Sequence, residues 1–281
     1  MRIFLSFLKH FLLIHTFFIS ISIHGQINRL YYINEFKVLD SAGYAITYML
    51  EKVTNTETPN EKETDVQKLL IGHKLSDYFS YLLFKNDSIC TILEKQDQNF
   101  PAPPKGADTY EVFKNHETKK LSVIERADET IFHYEEDQPD IDWAIQSDRK
   151  TILTYPCQKA TAEFRGRKYE AWFTFDIPIS DGPYKFGGLP GLILEIYDTQ
   201  RHYVFSCIGV QKLNPSQPIK TRNWRYTETS REEINQLLER KYKNPTEYYN
   251  ALGVMFYIKK DGKIVANPKD YSQPYNPIEL N

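Results

Sequence analysis

Hydrophobic and polar residues alternate in short runs along most of the chain, and few stretches carry helical spacing. Residues 44–53 place Tyr44, Ile46, Tyr48 and Leu50 on one side. Residues 27–39 mix Tyr31, Tyr32, Ile33, Phe36 and Val38 with polar neighbours, and Asp40-Ser41-Ala42-Gly43 lies between the two runs, which predicts a hairpin. The polar stretch 54–65, with Pro59, predicts a mobile loop. Residues 67–71 and 77–84 predict strands, and Asn86-Asp87-Ser88 a cap for a helix through Cys90, Ile92 and Leu93. Residues 110–113, 120–124 and 130–134 predict a meander, followed by an acidic loop at 135–142 and a strand at about 152–154. Residues 157–164 and 168–175 flank Arg165-Gly166-Arg167, and 192–197 and 203–210 flank Asp198-Thr199-Gln200-Arg201, so each pair predicts a hairpin.

Helical spacing is clearest near the C-terminus. Ile234, Leu237, Leu238 and Tyr242 recur on one face after Thr229, and Glu232 completes a predicted capping box with Thr229. A short helix is predicted at 245–252, stopped by Gly253, then a hairpin of 255–258 and 264–266 around Asp261-Gly262. Residues 214–223, with two prolines, predict a linker, and Pro-rich 100–108 is a candidate internal break. Many short strands in hairpins and few helices predict an α+β fold on a curved, mainly antiparallel sheet. The aromatic content of 14% fits such half-buried pleated surfaces.

The first 25 residues have another character. Arg2 and Lys9 precede an apolar run from Phe11 to Ile23, and His24-Gly25-Gln26 ends it. This is the pattern of a secretory signal peptide, cut after Gly25. The run is shorter than the ~17–25 residues of a spanning helix, so no stable membrane span is expected after cleavage. Loss of Arg2 and Lys9 would take the net charge from −2 to −4, which gives no global attraction to nucleic acid. The expected product is exported, periplasmic or extracellular. Cys90, Cys157 and Cys207 would then meet an oxidising compartment, and Cys157 with Cys207 is the candidate disulfide.

The densest punctuation lies between the two central hairpins, at residues 177–192 (IPISDGPYKFGGLPGL). The segment has no Gly-Lys-Ser/Thr phosphate loop and no G-x-G-x-x-G, so it predicts a defined loop carrying apolar plugs into the core. Gly188-Leu189-Pro190-Gly191-Leu192-Ile193 resembles the signature of the GLPGLI family, exported envelope proteins of Gram-negative bacteria. Asp142-Trp143, Cys157-Gln158-Lys159-Ala160, Gly166-Arg167, Ala171-Trp172-Phe173-Thr174, residues 181–187 and Asn276-Pro277-Ile278-Glu279-Leu280 extend the resemblance. It implies one GLPGLI-family domain over 26–281, with Gly187 through Ile193 as a structural loop bracing one end or rim of the sheet. It implies no reaction and no catalytic residues.

Chemistry is sparse at the level of motifs. His73, His116, His133 and His202 form no H-x-H or HExxH pattern, so no metal or other cofactor is expected. There is no G-x-S-x-G elbow, which leaves a hydrolase triad only if the fold assembles one. Lys159, Arg167, Trp172, Asp181, Tyr184 and Lys185 are the candidate binding residues. An outward Trp172 with cations beside it would make a recognition patch for a sugar, peptide or anionic head group. The alternative for Arg167 and Asp181 is structural ion pairing. The expected role is non-enzymatic binding of a small ligand or an envelope protein, with a periplasmic carrier of hydrophobic molecules as a further alternative.

Overall fold

The computed structural model describes residues 33–260, 263–269 and 271–281. The predicted signal peptide, residues 27–32 of the first predicted hairpin, and the Asp261-Gly262 turn lie outside them. In chain order the elements are β1 (Phe36–Lys52), β2 (Glu63–Ile71), β3 (Leu75–Ser80), α1 (Tyr81–Glu94), β4 (Tyr110–Asn115), β5 (Lys120–Ala127) and β6 (Thr130–Asp137). Then come β7 (Ala144–Ile152), β8 (Tyr155–Phe164), β9 (Arg167–Thr174), β10 (Leu192–Asp198), β11 (Tyr203–Arg222) and β12 (Thr227–Glu228). The chain ends with α2 (Arg231–Lys243), α3 (Pro245–Ala251), β13 (Tyr257–Lys260) and β14 (Lys263–Ala266).

One 12-stranded sheet has the order β12-β6-β5-β4-β3-β2-β1-β11-β10-β9-β8-β7, and β13 and β14 pair separately. Its pairings are antiparallel except β12 with β6. The sheet is not closed. It is strongly curled. Seven inter-strand steps separate β4 from β8, about 34 Å along a flat sheet. Yet three ring contacts, Tyr110–Tyr184 at 5.0 Å, Tyr184–Phe186 at 6.1 Å and Phe186–Phe164 at 5.5 Å, bridge the same two strands. Both arms therefore wrap the loop that carries Tyr184 and Phe186, and the main core lies on this inner face.

Local chemistry explains the best-predicted parts. Arg165 and Gly166 have φ of 47° and 79°, the two-residue left-handed turn that suits a tight hairpin, with glycine where a side chain would be strained. In β1, alternation turns Ile46, Tyr48 and Leu50 inward, all at 0% exposure.

Elsewhere the fold corrects the sequence reading. Asp40–Gly43 is no turn: β1 runs straight through it, and register shifts at Val38/Asp40 and Ala42/Tyr44 absorb the irregular residues as bulges. The Asp40 carboxylate instead accepts from the Lys74 and Leu75 N–H groups, at 2.6 and 3.1 Å, and so ties down the β2–β3 turn. The strand predicted over 77–84 ends at Ser80, whose Oγ accepts from Leu83 N–H at 3.1 Å and caps α1, ahead of the predicted cap at 86–88. The acidic stretch predicted as a loop begins inside β6. Residues 214–222 are strand, not linker: Pro215 and Pro218 lie where β11 has β1 on one side only, so a missing N–H breaks no second ladder. The α2 cap is Ser230 with Glu233, one residue beyond the predicted pair. The Pro-rich 100–108 segment does not split the sheet, because β3 and β4 on either side of it are paired.

Candidate functional site

The 177–191 loop leaves β9, crosses the inner face and returns as β10, closing one end of the curl. Its sequence allows this course. A Cβ on Gly191 would come within 2.0 Å of the Thr174 carbonyl oxygen, so only glycine lets the loop pass against β9. Leu189, Leu192 and Ile193 are buried, Pro190 is exposed, the Gly187 carbonyl accepts from Trp143 Nε1–H at 2.9 Å, and Gly188 N–H donates to Ser180 Oγ at 3.1 Å.

The charges of this loop are buried and matched. Asp181, Lys114 and Lys185 are each 1% exposed. Lys114 Nζ donates to Asp181 Oδ1 at 2.6 Å and to the Gly182 and Phe186 carbonyls at 2.5 and 3.0 Å. Burial alone would raise the Asp181 carboxyl, but Lys114, His116 and Ser76 outweigh it and pull it down to about 2. Lys185 Nζ meets Glu136 at 2.6 Å, Glu279 at 2.7 Å and the Tyr134 hydroxyl at 3.0 Å. Burial opposes its charge, yet Glu279, Tyr134 and Glu136 hold the ammonium above the ordinary lysine value.

Arg167 fastens the C-terminal tail. Its guanidinium donates to Asp198 at 3.2 Å, the Asn276 side chain at 2.7 Å, and the Pro277 and Ile278 carbonyls at 2.6 and 3.0 Å. Tyr184 Oη donates to Glu279 at 2.7 Å. The ion-pair reading of Arg167 and Asp181 therefore holds, with Asp198 and Lys114 as their partners.

The six candidate binding residues do not form one patch. Arg167, Asp181, Tyr184 and Lys185 lie on the inner side, and Lys159 and Trp172 on the outer side, opposite each other in the β8–β9 register. Trp172 is not an outward platform: Lys150 Nζ sits 4.3 Å over its ring and bonds Glu195 at 2.8 Å, which leaves Trp172 9% exposed. Lys159 pairs with Glu170 at 2.8 Å. The predicted Cys157–Cys207 bridge is absent; both thiols are free and buried. Cys157 lies on β8 and Cys207 on β11, strands that do not pair and have β9 and β10 between them in the sheet. Each Sγ instead faces a backbone carbonyl at 3.5 Å, Tyr155 for Cys157 and Gly209 for Cys207.

Ser76, His116 and Asp181 do converge in space, but not as a relay. The same ring nitrogen, His116 Nε2, lies 3.4 Å from Ser76 Oγ and 3.5 Å from Asp181 Oδ2, and Ser76 is 0% exposed. A hydrolytic triad uses the two ring nitrogens for the two partners, with a hydroxyl that substrate can reach.

The other end of the inner face is hollow. A cavity of about 270 Å³ lies between β1, β2, β4, β5, β6, the start of β11, Tyr184 of the loop, α2 and the C-terminal tail. Six tyrosines wall it: Tyr110, Tyr134, Tyr184, Tyr203, Tyr242 and Tyr275. Tyr242 and Tyr275 stack at 4.9 Å, and Tyr203 Oη fixes the tail through the Asn276 carbonyl at 2.7 Å. Beneath them runs a polar floor. Lys52 pairs with Asp108; Gln67 Nε2 donates to Asp108 at 2.7 Å and Asp65 at 3.1 Å; Ser80 Oγ donates to Asp65 at 3.0 Å. Glu125 accepts from Thr109 Oγ1, and burial pushes its carboxyl up to about 7, aided by Asp108. Of the six candidate binding residues, only Tyr184 lines this cavity. The rest come from scattered stretches, and their shared signal is the tyrosine count of 20.

No helix among the described residues is long and apolar enough to cross a membrane, and no group of three or more His, Cys, Asp or Glu residues among them is placed to hold a metal ion. Among curated proteins, none matches the chain. Similar solved structures include PNGF-II in two crystal forms. One is 14% identical over 72% of this chain and 34% of that one, with a TM-score of 0.48; the other is 15% identical over 70% and 32%, with a TM-score of 0.46. This chain thus spans about a third of the length of PNGF-II. An uncharacterized conserved protein from Thermus thermophilus is 6% identical over 67% of this chain and 91% of that one, with a TM-score of 0.35. Residues 165–195, which carry β9, the loop and the start of β10, match the model of a family described as "Protein of unknown function (Porph_ging)".

Proposed function

We propose that the chain is an exported, GLPGLI-type envelope protein that binds a small ligand in the tyrosine-walled cavity. The cavity carries this reading: about 270 Å³, just under the ~300–1,000 Å³ of small-molecule sites, walled by aromatic rings with a few convergent polar groups. The loop and the tail that frame it are held by buried ion pairs and by the Arg167–Asn276 hydrogen bond. The N-terminal apolar run and the Gly188–Ile193 signature support export and the family assignment.

Native mass spectrometry of the protein purified from its own cell envelope tests this reading. The expected chain begins at Gln26 and carries an additional non-covalent small mass. Leu238→Trp, which fills the cavity from α2, should lose that mass while the protein stays folded. A bare polypeptide overturns the binding role, and a chain retaining residues 1–25 overturns export.

A further inference from the structure

We propose that the ligand of this cavity is a small organic cation, its ammonium head held against the tyrosine faces and the Glu125 carboxylate. This rests on the cavity being the binding seat and names the class of ligand.

The charge balance points one way. The lining residues include four carboxylates, Glu63, Asp108, Glu125 and Glu279, against one cation, Lys52. Lys52 is taken by Asp108, and Glu279 by Lys185. Glu63 and Glu125 form no ion pair among the described residues. An anion entering here would meet surplus negative charge. A purely apolar ligand would take water from the Glu125 carboxyl and offer it no opposite charge in return. A cation satisfies the carboxylates and also meets the negative faces of the tyrosine rings, an interaction that strengthens as water is excluded. The contrast with the loop is direct: there the buried Asp181 already has its ammonium in Lys114, and the loop's Lys185 reaches to the cavity wall to satisfy Glu279.

Protonation adds a second signature. Glu125 is surrounded by Lys52 of β1, Glu63 of β2, Asp108 and Thr109 before β4, Lys241 and Tyr242 of α2, and Tyr275 of the tail. Its carboxyl, raised by burial to about 7, is largely protonated at pH 6 and ionised at pH 8, so cation binding should tighten across that interval.

The test is calorimetric titration with choline chloride and with its neutral isostere 3,3-dimethylbutan-1-ol, on protein freed of any co-purified mass. Choline should bind at least tenfold more tightly than the isostere, and more tightly at pH 8 than at pH 6. Glu125→Gln should weaken choline at least fivefold and abolish the pH dependence; Tyr275→Leu should weaken it without changing that dependence. Equal affinity for choline and the isostere overturns the cation assignment and leaves the binding seat standing. No choline binding at all also overturns it, while the native mass of the untreated protein decides the binding seat separately. The isostere comparison needs only the wild-type chain, so it decides the matter even where a variant fails to fold.

Discussion

The two ends of the inner face use the same residue types to opposite effect. At the loop end, Lys114, Asp181, Lys185 and Glu279 are almost wholly removed from water, and every charge has an opposite partner within 2.7 Å. At the cavity end, tyrosines and carboxylates surround a void, and Glu63 and Glu125 form no ion pair among the described residues. Matched buried charge fixes geometry; unmatched charge beside an open volume is what a ligand can complete. The segment that matches a family model, 165–195, gives the matched end Asp181 and Lys185 and gives the cavity only Tyr184. The most distinctive stretch of sequence therefore marks the scaffold, and the hollow it frames is lined from elsewhere.

The largest effect should come from breaking the matched end. Lys114→Met would leave Asp181 buried without its ammonium and would strand the Gly182 and Phe186 carbonyls. Removing one partner of a buried pair costs about 3–5 kcal/mol. Urea unfolding should show a fall of that size in midpoint stability with an unchanged slope. A loss below about 1 kcal/mol would mean that the loop end is no more closely matched than the cavity, and the contrast would collapse.

The cavity end should respond in the opposite direction. A carboxyl whose folded-state value is raised above its unfolded value favours the fold while it is protonated, and that contribution fades as pH rises through the folded value. For Glu125 the interval runs from the ordinary 4.5 to about 7. Glu125→Gln removes the charge and should therefore stabilise the ligand-free protein at pH 8, by about 1–2 kcal/mol after allowance for partial exposure, and by less at pH 5. Urea midpoints at the two pH values measure the difference. A destabilised variant at pH 8 would show that the Glu125 charge is satisfied within the fold, and the cavity would lose its functional character.

How much of this is legible in the sequence follows from the distance along the chain. The β8–β9 hairpin can be read because its turn signal, Arg165-Gly166, is two residues with unusual φ values that only a tight turn needs. The loop stands out because its glycines and prolines are contiguous, and two of its charges, Asp181 and Lys185, stand out with it. Their partners cannot be read: Lys114 lies 67 residues from Asp181, and Asn276 lies 109 from Arg167. The Asp40–Gly43 turn fails because bulges let a strand of 17 residues carry turn-forming residues, with the Asp40 side chain serving another turn. The strand predicted through residue 84 fails because Tyr81-Leu82-Leu83-Phe84 gives no periodicity to separate strand from helix, and the deciding hydrogen bond is a single serine cap. The cavity has no signature at all, since Lys52, Asp108, Glu125, Tyr203, Tyr242 and Tyr275 share no local pattern.

The smallest expected effect belongs to the outer face, where the sequence suggests a recognition patch. Lys159 bonds Glu170 at 2.8 Å in a cross-strand pair open to solvent, and Glu170 keeps a second partner in the Tyr197 hydroxyl at 3.1 Å. Trp172 stays covered by Lys150, which has its own partner in Glu195. Lys159→Ala should therefore lower stability by only about 0.2–1 kcal/mol, and the loss should shrink in 1 M salt, where the charges are screened within about 3 Å. Urea midpoints at low and high salt separate this from a packing defect, which salt would not relieve. A salt-independent loss above about 2 kcal/mol would show that the outer face is as tightly coupled as the loop end. The distinction would then lie between the cavity and the entire remainder of the sheet, and not between the two ends of its inner face.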